Sequence, residues 1–438
     1  MNSHNKKILI VGLGKSGAAA ARFLKNRGGL VTVTDMAGEE QLEAYIPLMR
    51  DMGIRTELGE HRIETFEESD YIVVSPGVPH TIAPIKAAQE KGIPVLGEIE
   101  LASRFIAEPV VAVTGTNGKT TTTTLLGKML EHSGLDVFVG GNIGNPLIGY
   151  AEGEEKADVV VAEISSFQLD TIESFRPKVG VLLNITEDHL DRYAGFEAYA
   201  ESKARIFENQ QENDVAVLDS SDTVVRSVTR HIRSRKMEIG NRESLANGRL
   251  RISDFEFKIP DTLPGPHNMQ NISAACLAAL ASGGTPEGIQ SALDNFRGLP
   301  HRLEYVATIN GVRYFDDSKA TNTDAVAKAI ESFHEPIILI MGGQGKNCDF
   351  HSLKGLIRRH VKKLIVMGES GEEIKSVLGQ ECGTGTASAM DDAVFQAYQA
   401  SEPGDAVLLS PACASFDMYR SYAERGEFFC SAVEKLAM

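Results

Sequence analysis

The sequence lacks a cysteine framework. Its five cysteines, Cys276, Cys348, Cys382, Cys413 and Cys430, are odd in number and include no C-x-x-C pair. That argues against a disulfide scaffold or a zinc cluster and fits a reducing compartment. Positive charge is also short: 44 Lys and Arg stand against 60 Asp and Glu, a formal net charge of -16. A general nucleic-acid or anionic-membrane surface needs clustered cations, so neither partner is expected. Small anionic substrates stay open, held by local Lys, Arg and helix N-termini. No apolar run approaches the roughly 18 residues of a membrane span. The opening MNSHNKKILIVGLG enters a strand-like run with no signal-peptide apolar region before it, so a cytoplasmic protein is expected. Internal repeats are absent. What remains is 438 residues, 42% of them hydrophobic. That suffices for several cores, at roughly 100–200 residues per domain.

One more absence poses the main question. The stretch AVTGTNGKTTTTTLL, residues 112–126, has the Gly-Lys-Thr of a phosphate-binding loop, yet Val113 stands where G-x-x-x-x-G-K-[ST] requires its first glycine. The loop is shortened to Gly115, Thr116, Asn117, Gly118, Lys119, Thr120 and Thr121. A strand run precedes it and a helical run follows. Backbone N–H groups of such a loop cradle nucleotide phosphates, the lysine reaches the β and γ oxygens, and the first threonine offers its hydroxyl to Mg2+. Thr121 is a further phosphate contact, and Thr122 to Thr124 simply begin the helix.

Three α/β segments follow one another. In the first, KKILIVGLGKSGAAAARFLKNRG runs from a strand through Gly12-x-Gly14-x-x-Gly17 into a helix, and a second strand, LVTVTD, ends at Asp35. DYIVVSPGVP and IPVLGEIEL supply two more strands. The glycines require only a nearby phosphate, so NAD, FAD and a nucleotide-sugar diphosphate all fit. The second segment carries the phosphate loop and the strand runs of DVFVGGNIG, ADVVVAEISSFQLD, KVGVLLNITEDHLD and DVAVLD. The third alternates strands and helices again from VRYFDDSKATN to DAVLLSPACASFDMY, and a second parallel sheet of Rossmann type is expected. Expected boundaries are 1–97, 98–300 and 301–438.

Carboxylates and other polar groups at the C-terminal ends of parallel strands lie on the ligand side of the sheet. Glu163, ending VVVAE, and His189, after the next strand run, are therefore candidate Mg2+ ligands. Asp317 and Lys319 sit after a strand and suit an acidic substrate or a phosphate. Asn268 and Asn271 lie one helical turn apart and either share a partner or cap the helix. Spacing alone gives Lys203 no role.

GTNGKTT, GGNIG, AEISSFQL, NITEDHLDRY, GPHNMQN, GLPHRLE, DDSKATN and SPACASFDMY occur in this order over the whole chain. This ordered set resembles the Mur ligase family, the ATP-dependent amide-forming enzymes of peptidoglycan precursor synthesis. The resemblance implies three domains: a Rossmann-like N-terminal domain for the UDP-sugar, a central P-loop ATPase-type domain, and a Rossmann-like C-terminal domain for the amino acid. The substrates it implies are UDP-N-acetylmuramoyl-L-alanine, D-glutamate and ATP, joined through an acyl phosphate by a monomer.

The same resemblance distributes the residues. Gly14, Lys15, Ser16, Asp35, Ser75, Asn142 and Gln168 fall to the UDP-sugar. His267, Asn268, Asn271, Arg302 and Asp317 join the phosphate loop around ATP. Lys319, Thr321, Lys346, Ser415, Phe416 and Tyr422 fall to D-glutamate. Two Mg2+ sites are implied, one at Thr120 and Glu163, the other near His189 and Lys203. The lysine matching Lys203 is carbamylated by CO2 in the family, which turns a cation into an anion able to help hold the metal.

Overall fold

The computed structural model describes residues 3–154, 156–188, 192–239, 245–246, 249–252, 254–260, 263, 265–345 and 348–436. They form two compact units, Met1–Lys258 with Gln270–Leu293, and Ile259–Met269 with Asp294–Met438.

The first unit opens with five parallel strands, β1 (Lys7–Val11), β2 (Leu30–Asp35), β3 (Arg55–Leu58), β4 (Tyr71–Val74) and β5 (Val95–Gly97), in the order β3-β2-β1-β4-β5. Ile8 to Val11 are all buried. Continuous apolar runs of this kind mark strands covered on both faces. Strand order reverses at the β1/β4 pair, which makes that junction the ligand crevice of the sheet. β3 was not among the expected strands. It is a polar edge strand, RTEL, of which only Glu57 is buried.

The second sheet contains β6 (Val110–Thr114), β7 (Val137–Gly141), β8 (Val159–Glu163), β9 (Val179–Leu182), β10 (Val215–Leu218) and β11 (Arg235–Glu238), in the order β11-β10-β9-β6-β8-β7. β6 lies at the centre, so the loop after it is flanked by the ends of β8 and β9. A small antiparallel sheet follows in the chain, β12 (Leu245–Ala246), β13 (Arg249–Ile252) and β14 (Phe255–Lys258).

The second unit holds β15 (Glu304–Ile309), β16 (Val312–Asp316), β17 (Ile337–Gly342), β18 (Val361–Met367), β19 (Gly383–Thr386) and β20 (Ala406–Leu409), ordered β15-β16-β20-β17-β18-β19. The expectation of a purely parallel sheet is corrected here: β15 pairs antiparallel with β16. The cause is a two-residue turn. Asn310 and Gly311 have φ of +50° and +79°, and Ile309 pairs with Val312 across them. Two positive φ values in sequence match the twist of the flanking strands, which is why Asn-Gly favours a hairpin. Among the described residues, no helix is long and apolar enough to cross a membrane.

The hairpin makes Gly311 a stability determinant. Gly311→Ala would force a side chain into the left-handed region, with Pro403 Cβ only 3.1 Å from the new methyl. We expect a loss of about 1–2 kcal/mol. Urea melts of the wild type and Gly311→Ala should show it; an unchanged midpoint would mean the turn relaxes freely.

Candidate active site

The phosphate loop leaves β6 and ends at Gly118, the N-cap of the helix Lys119–His132. Gly118 has φ +83°, and a Cβ there would overlap the side chain of Asn271. Buried Asn271 is thus seated against the loop. The first N–H groups of the helix have no intrahelical acceptor and face phosphate chemistry. Asn184, just beyond β9, shapes the loop: its Oδ1 accepts from the Asn117 amide at 2.9 Å, and its Nδ2 donates to the Asn117 carbonyl at 3.1 Å. Sequence reasoning missed Asn184, although it stands in the NITEDH motif. Thr116 is tied to Thr186 and, through its hydroxyl, to Tyr199 at 3.1 Å. Thr120 and Thr121 are half-buried on the first turn of the helix.

Two lysines meet at this loop. Lys119 Nζ donates to the carbonyls of Gly115 and Thr116, both at 2.9 Å. Lys203, on the helix Phe196–Ala204, is 2% exposed and also donates to Gly115 O at 2.9 Å. Burial, followed by the charge of Lys119, holds its amine down at about 7. At the neighbouring strand end, Glu163 is 2% exposed. Its Oε1 accepts from Asn142 Nδ2 at 2.8 Å, and its Oε2 is buried with no partner among the described residues. An orphaned carboxylate oxygen beside a phosphate loop suits a hard divalent cation. Asn142, expected at the substrate, is in this structure the residue that orients Glu163. His189 lies outside the described residues.

At the ligand edge of the first sheet, Gly12 and Ser75 meet at the switch point, Ser75 Oγ donating to Gly12 O at 2.8 Å. A Cβ at Gly17 would overlap that carbonyl, so the third glycine of the fingerprint allows the helix to pack onto the loop. Gly14 is exposed at the helix start and Ser16 follows it. Asp35 is engaged with its own surroundings: it accepts from the amides of Leu13 at 2.6 Å and Ala37 at 2.8 Å. Lys15 Nζ donates to Gly144 O at 2.6 Å. Gln168 is buried and completes a capping box with Ser165 on a short helix. Ser75 and Gln168 line one narrow cleft.

In the second unit, buried Asp317 accepts from Ser410 Oγ at 2.8 Å and from the Leu303 amide at 3.2 Å. Burial pushes its carboxyl up to about 7. It thereby anchors the loop that displays exposed Arg302, whose neighbours His301 and Leu303 have φ of +62° and +44°. His301 Nδ1 lies 2.7 Å from Asp316 Oδ2, and this partner raises the imidazole pKa. Such strain persists only where surrounding contacts fix it. His267 packs beneath Gly265 on the helix Pro266–Ala281, which also carries buried Asn268.

Lys319 and Thr321 are exposed, and Lys319 Nζ lies 5.2 Å from the centre of the Tyr422 ring. Ser415 is buried, whereas Phe416 is 64% exposed and Tyr422 is 37% exposed. Neither aromatic is helix core. Lys346 lies outside the described residues. Sequence reasoning also missed Arg425. It is fully buried and donates to Ser318 O at 2.8 Å, Ser318 Oγ at 2.9 Å and Cys413 O at 3.1 Å. It ties together the loops after β16 and β20, which carry Lys319 and Ser415. Nothing in YAERGEFF distinguishes it from an exposed helix arginine.

The fold and this site define a P-loop nucleotide-binding α/β protein whose three large sheets each present polar groups at their strand ends. Comparison with known proteins places it further. Residues 6–97 match the Mur ligase MurD-like N-terminal domain, residues 113–279 the Mur ligase middle domain, and residues 301–413 the Mur ligase glutamate ligase domain. A relative from Desulfosudis oleivorans, UDP-N-acetylmuramoylalanine--D-glutamate ligase, is 54% identical over 100% of this chain and 98% of its own length. A relative of the same name from Desulfatibacillum aliphaticivorans is 51% identical, with 100% of both chains covered. The crystal structure of MurF ligase from Thermotoga maritima in complex with ADP shares the fold, with a TM-score of 0.59 at 18% identity over 99% of this chain and 96% of that one. The chain belongs to the Mur ligase family.

Lys203 gives this site a measurable pH signature. Its amine falls from 10.5 to about 7 on folding, so the unfolded chain binds the extra proton between those values. The cost to stability is absent above the upper value, grows as pH falls, and is flat below the lower one. Lys203→Met should therefore be more stable than the wild type by roughly 2–4 kcal/mol near neutrality, with the gain fading toward about pH 10. Urea melts in CO2-free buffer test this, and a gain independent of pH would show that Lys203 stays charged.

Proposed function

We propose that the protein is an ATP-dependent ligase that joins D-glutamate to UDP-N-acetylmuramoyl-L-alanine through an acyl phosphate, in the cytoplasmic stage of peptidoglycan precursor synthesis. The observation that carries this reading is the 54% identity, over the full chain, to a relative of that name. The phosphate loop, the two converging lysines and the buried Glu163 support the chemistry independently.

The reaction divides into two displacements. The alanyl carboxylate attacks the γ-phosphorus of ATP and the bond to ADP breaks. The amine of D-glutamate then attacks the acyl carbon, loses a proton, and the tetrahedral intermediate expels phosphate. A free carboxylate is a poor acyl donor, and the phosphate provides the leaving group. The protein's task is alignment and charge neutralisation. Lys119 would exchange its two loop carbonyls for the β and γ oxygens, while the helix N–H groups hold the phosphates. Mg2+, when bound, neutralises phosphate charge; Thr120 and Glu163 would hold one ion, His189 and Lys203 a second. Lys203 serves as a carbamate in this reading: its neutral amine forms the N–C bond to CO2 and releases a proton. Burial favours this by keeping the amine neutral at physiological pH, and the loss of a cation beside Lys119 relieves like-charge repulsion.

Residues 1–97 would bind the UDP-sugar, with Gly14, Lys15, Ser16, Asp35 and Ser75, assisted by Asn142 and Gln168. Residues 98–300 would bind ATP through Gly115 to Thr121, with His267, Asn268 and Asn271, and with Arg302 and Asp317 from the segment beyond. Residues 301–438 would bind D-glutamate, where Lys319 and Lys346 neutralise carboxylates, Ser415 and Thr321 donate hydrogen bonds, and Phe416 and Tyr422 supply contact surface. The protein would act as a monomer.

Phosphate release from ATP with UDP-N-acetylmuramoyl-L-alanine, across a panel of D- and L-amino acids, tests the assignment. Release is expected with D-glutamate alone. Release with another amino acid would overturn the specificity; release with none, in CO2-replete buffer, would overturn the ligase. Glu163→Gln should keep the fold and lose about 100-fold or more in turnover. A separate readout serves Lys203: 13C-enriched bicarbonate should give a carbamate carbon signal in the wild type that Lys203→Met lacks, and no signal would remove the modification.

A further inference from the structure

Glu98 follows β5 directly and opens the helix Glu98–Ser103, which places it at the ligand edge of the first sheet. β5 pairs with β4, whose end leads into Ser75. Glu98 is 2% exposed. Its Oε1 accepts from the Ile148 amide at 2.7 Å, while its Oε2 is buried and has no hydrogen-bond partner among the described residues. The side chain lines the same narrow cleft as Ser75, His80, Phe167, Gln168 and Thr171. A helix cap needs only one carboxyl oxygen, and an apolar residue would fill the remaining space without leaving a buried polar atom unpaired. The second oxygen is unexplained by the fold.

We propose that Glu98 is a further UDP-sugar-binding residue, donating from a protonated Oε2 to an acceptor oxygen at the sugar end of that substrate. The inference rests on the assignment of UDP-N-acetylmuramoyl-L-alanine as substrate, through Ser75 and Gln168 in the same cleft. A carboxyl can donate only while it is neutral. Burial raises Glu98 to about 7, so the donor is present below neutrality and lost above it. Ionisation would also set a carboxylate against an anionic substrate, which weakens binding in the same direction. Among the described residues lining the cleft, His80 is the other titratable side chain. The helix Leu147–Glu152 meets Glu98 through the backbone N–H groups of Ile148 and Leu147, which favour the ionised carboxyl but are outweighed by burial, and its own acid, Glu152, is held by Arg22 and Asn26. Glu100 on the same helix as Glu98 is held by Arg104 and Ser174.

Calorimetric titration of UDP-N-acetylmuramoyl-L-alanine into the full-length protein, without ATP, from about pH 6 to about pH 9, tests the proposal. In the wild type, Kd should rise roughly five- to tenfold across neutrality. Glu98→Ala should weaken binding at the low end by a similar factor and raise KM for the UDP-sugar more than it lowers kcat. Glu98→Gln keeps an acceptor for Ile148 and a donor that does not titrate, so it should restore binding and remove the pH dependence. If Glu98→Ala does not fold, the comparison of wild type with Glu98→Gln decides alone. An unchanged Kd in Glu98→Ala would make Glu98 a helix cap only, and a pH dependence surviving in Glu98→Gln would belong to His80; either overturns the proposal. A wild type that binds ATP but not the UDP-sugar would instead remove the substrate assignment on which it stands.

Discussion

Lys119 and Lys203 both donate to the carbonyl of Gly115. Two amines on one neutral acceptor, one of them driven toward neutrality by burial and by the other's charge, suit an incoming anion, and much of the first unit is organised to hold it. Asn184 and Thr186 fix the loop from the β9 side. Asn271 limits it from the helix Pro266–Ala281. Tyr199 reaches Thr116 from the same helix that brings Lys203. The chain as a whole is strongly acidic, so this local concentration of cations owes nothing to net charge; burial and close placement produce it. With phosphate present, Lys119 gains an anionic partner. In the proposed carbamate, Lys203 would carry negative charge instead. Both changes relieve the same repulsion.

The fold was legible wherever strands were buried on both faces. ILIV, VVAVT, VVVAE, IILIMG and AVLL each announce a strand by a continuous apolar run, and each is one. In the large sheets, the parallel strands that escaped notice are edge strands, RTEL, RKME and GTGT, and the small antiparallel sheet β12–β14 was not expected either. An edge strand has one partner and an exposed flank, so its sequence need not be apolar. The antiparallel β15 is a different omission. TINGVRY carries the Asn-Gly signal that a two-residue hairpin requires, and the parallel pattern of its neighbours obscured it.

The site was legible to the extent that it sits at strand ends. Gly115 to Thr121, Glu163, Ser75 and Asp317 lie at or just beyond strand C-termini, where sequence order predicts ligand contact without any knowledge of tertiary structure. Residues that act by tying loops together were not legible. Arg425 looks like any helix arginine until burial shows it bonded to carbonyls from separate loops. Asp35 and Asn142 were read as ligand contacts, and the structure shows what each does locally: one braces the glycine loop, the other aims Glu163. A short polar side chain can serve backbone and ligand alike, and sequence spacing does not separate the two uses.

Each large sheet places a buried acid at or just past a strand's C-terminal end: Glu98 after β5, Glu163 as the last residue of β8, Asp317 after β16. Taking a carboxylate out of water is costly, and packing alone would be served better by an apolar residue. The three acids resolve that cost differently. Asp317 has both oxygens engaged, by Ser410 and Leu303, which fix it within the loop it anchors. Glu163 and Glu98 each keep one oxygen engaged and one orphaned. An acid fixed by one oxygen and open at the other is preorganised: its rotamer is already fixed before the ligand arrives, and ligand binding then removes the desolvation cost instead of adding an ordering cost. The two differ in what they can accept. Glu163, beside a phosphate loop, suits a cation. Glu98, buried at a narrow cleft and inclined to stay neutral, suits an oxygen acceptor. The same side chain at equivalent strand ends is thus tuned to opposite partners by its surroundings alone.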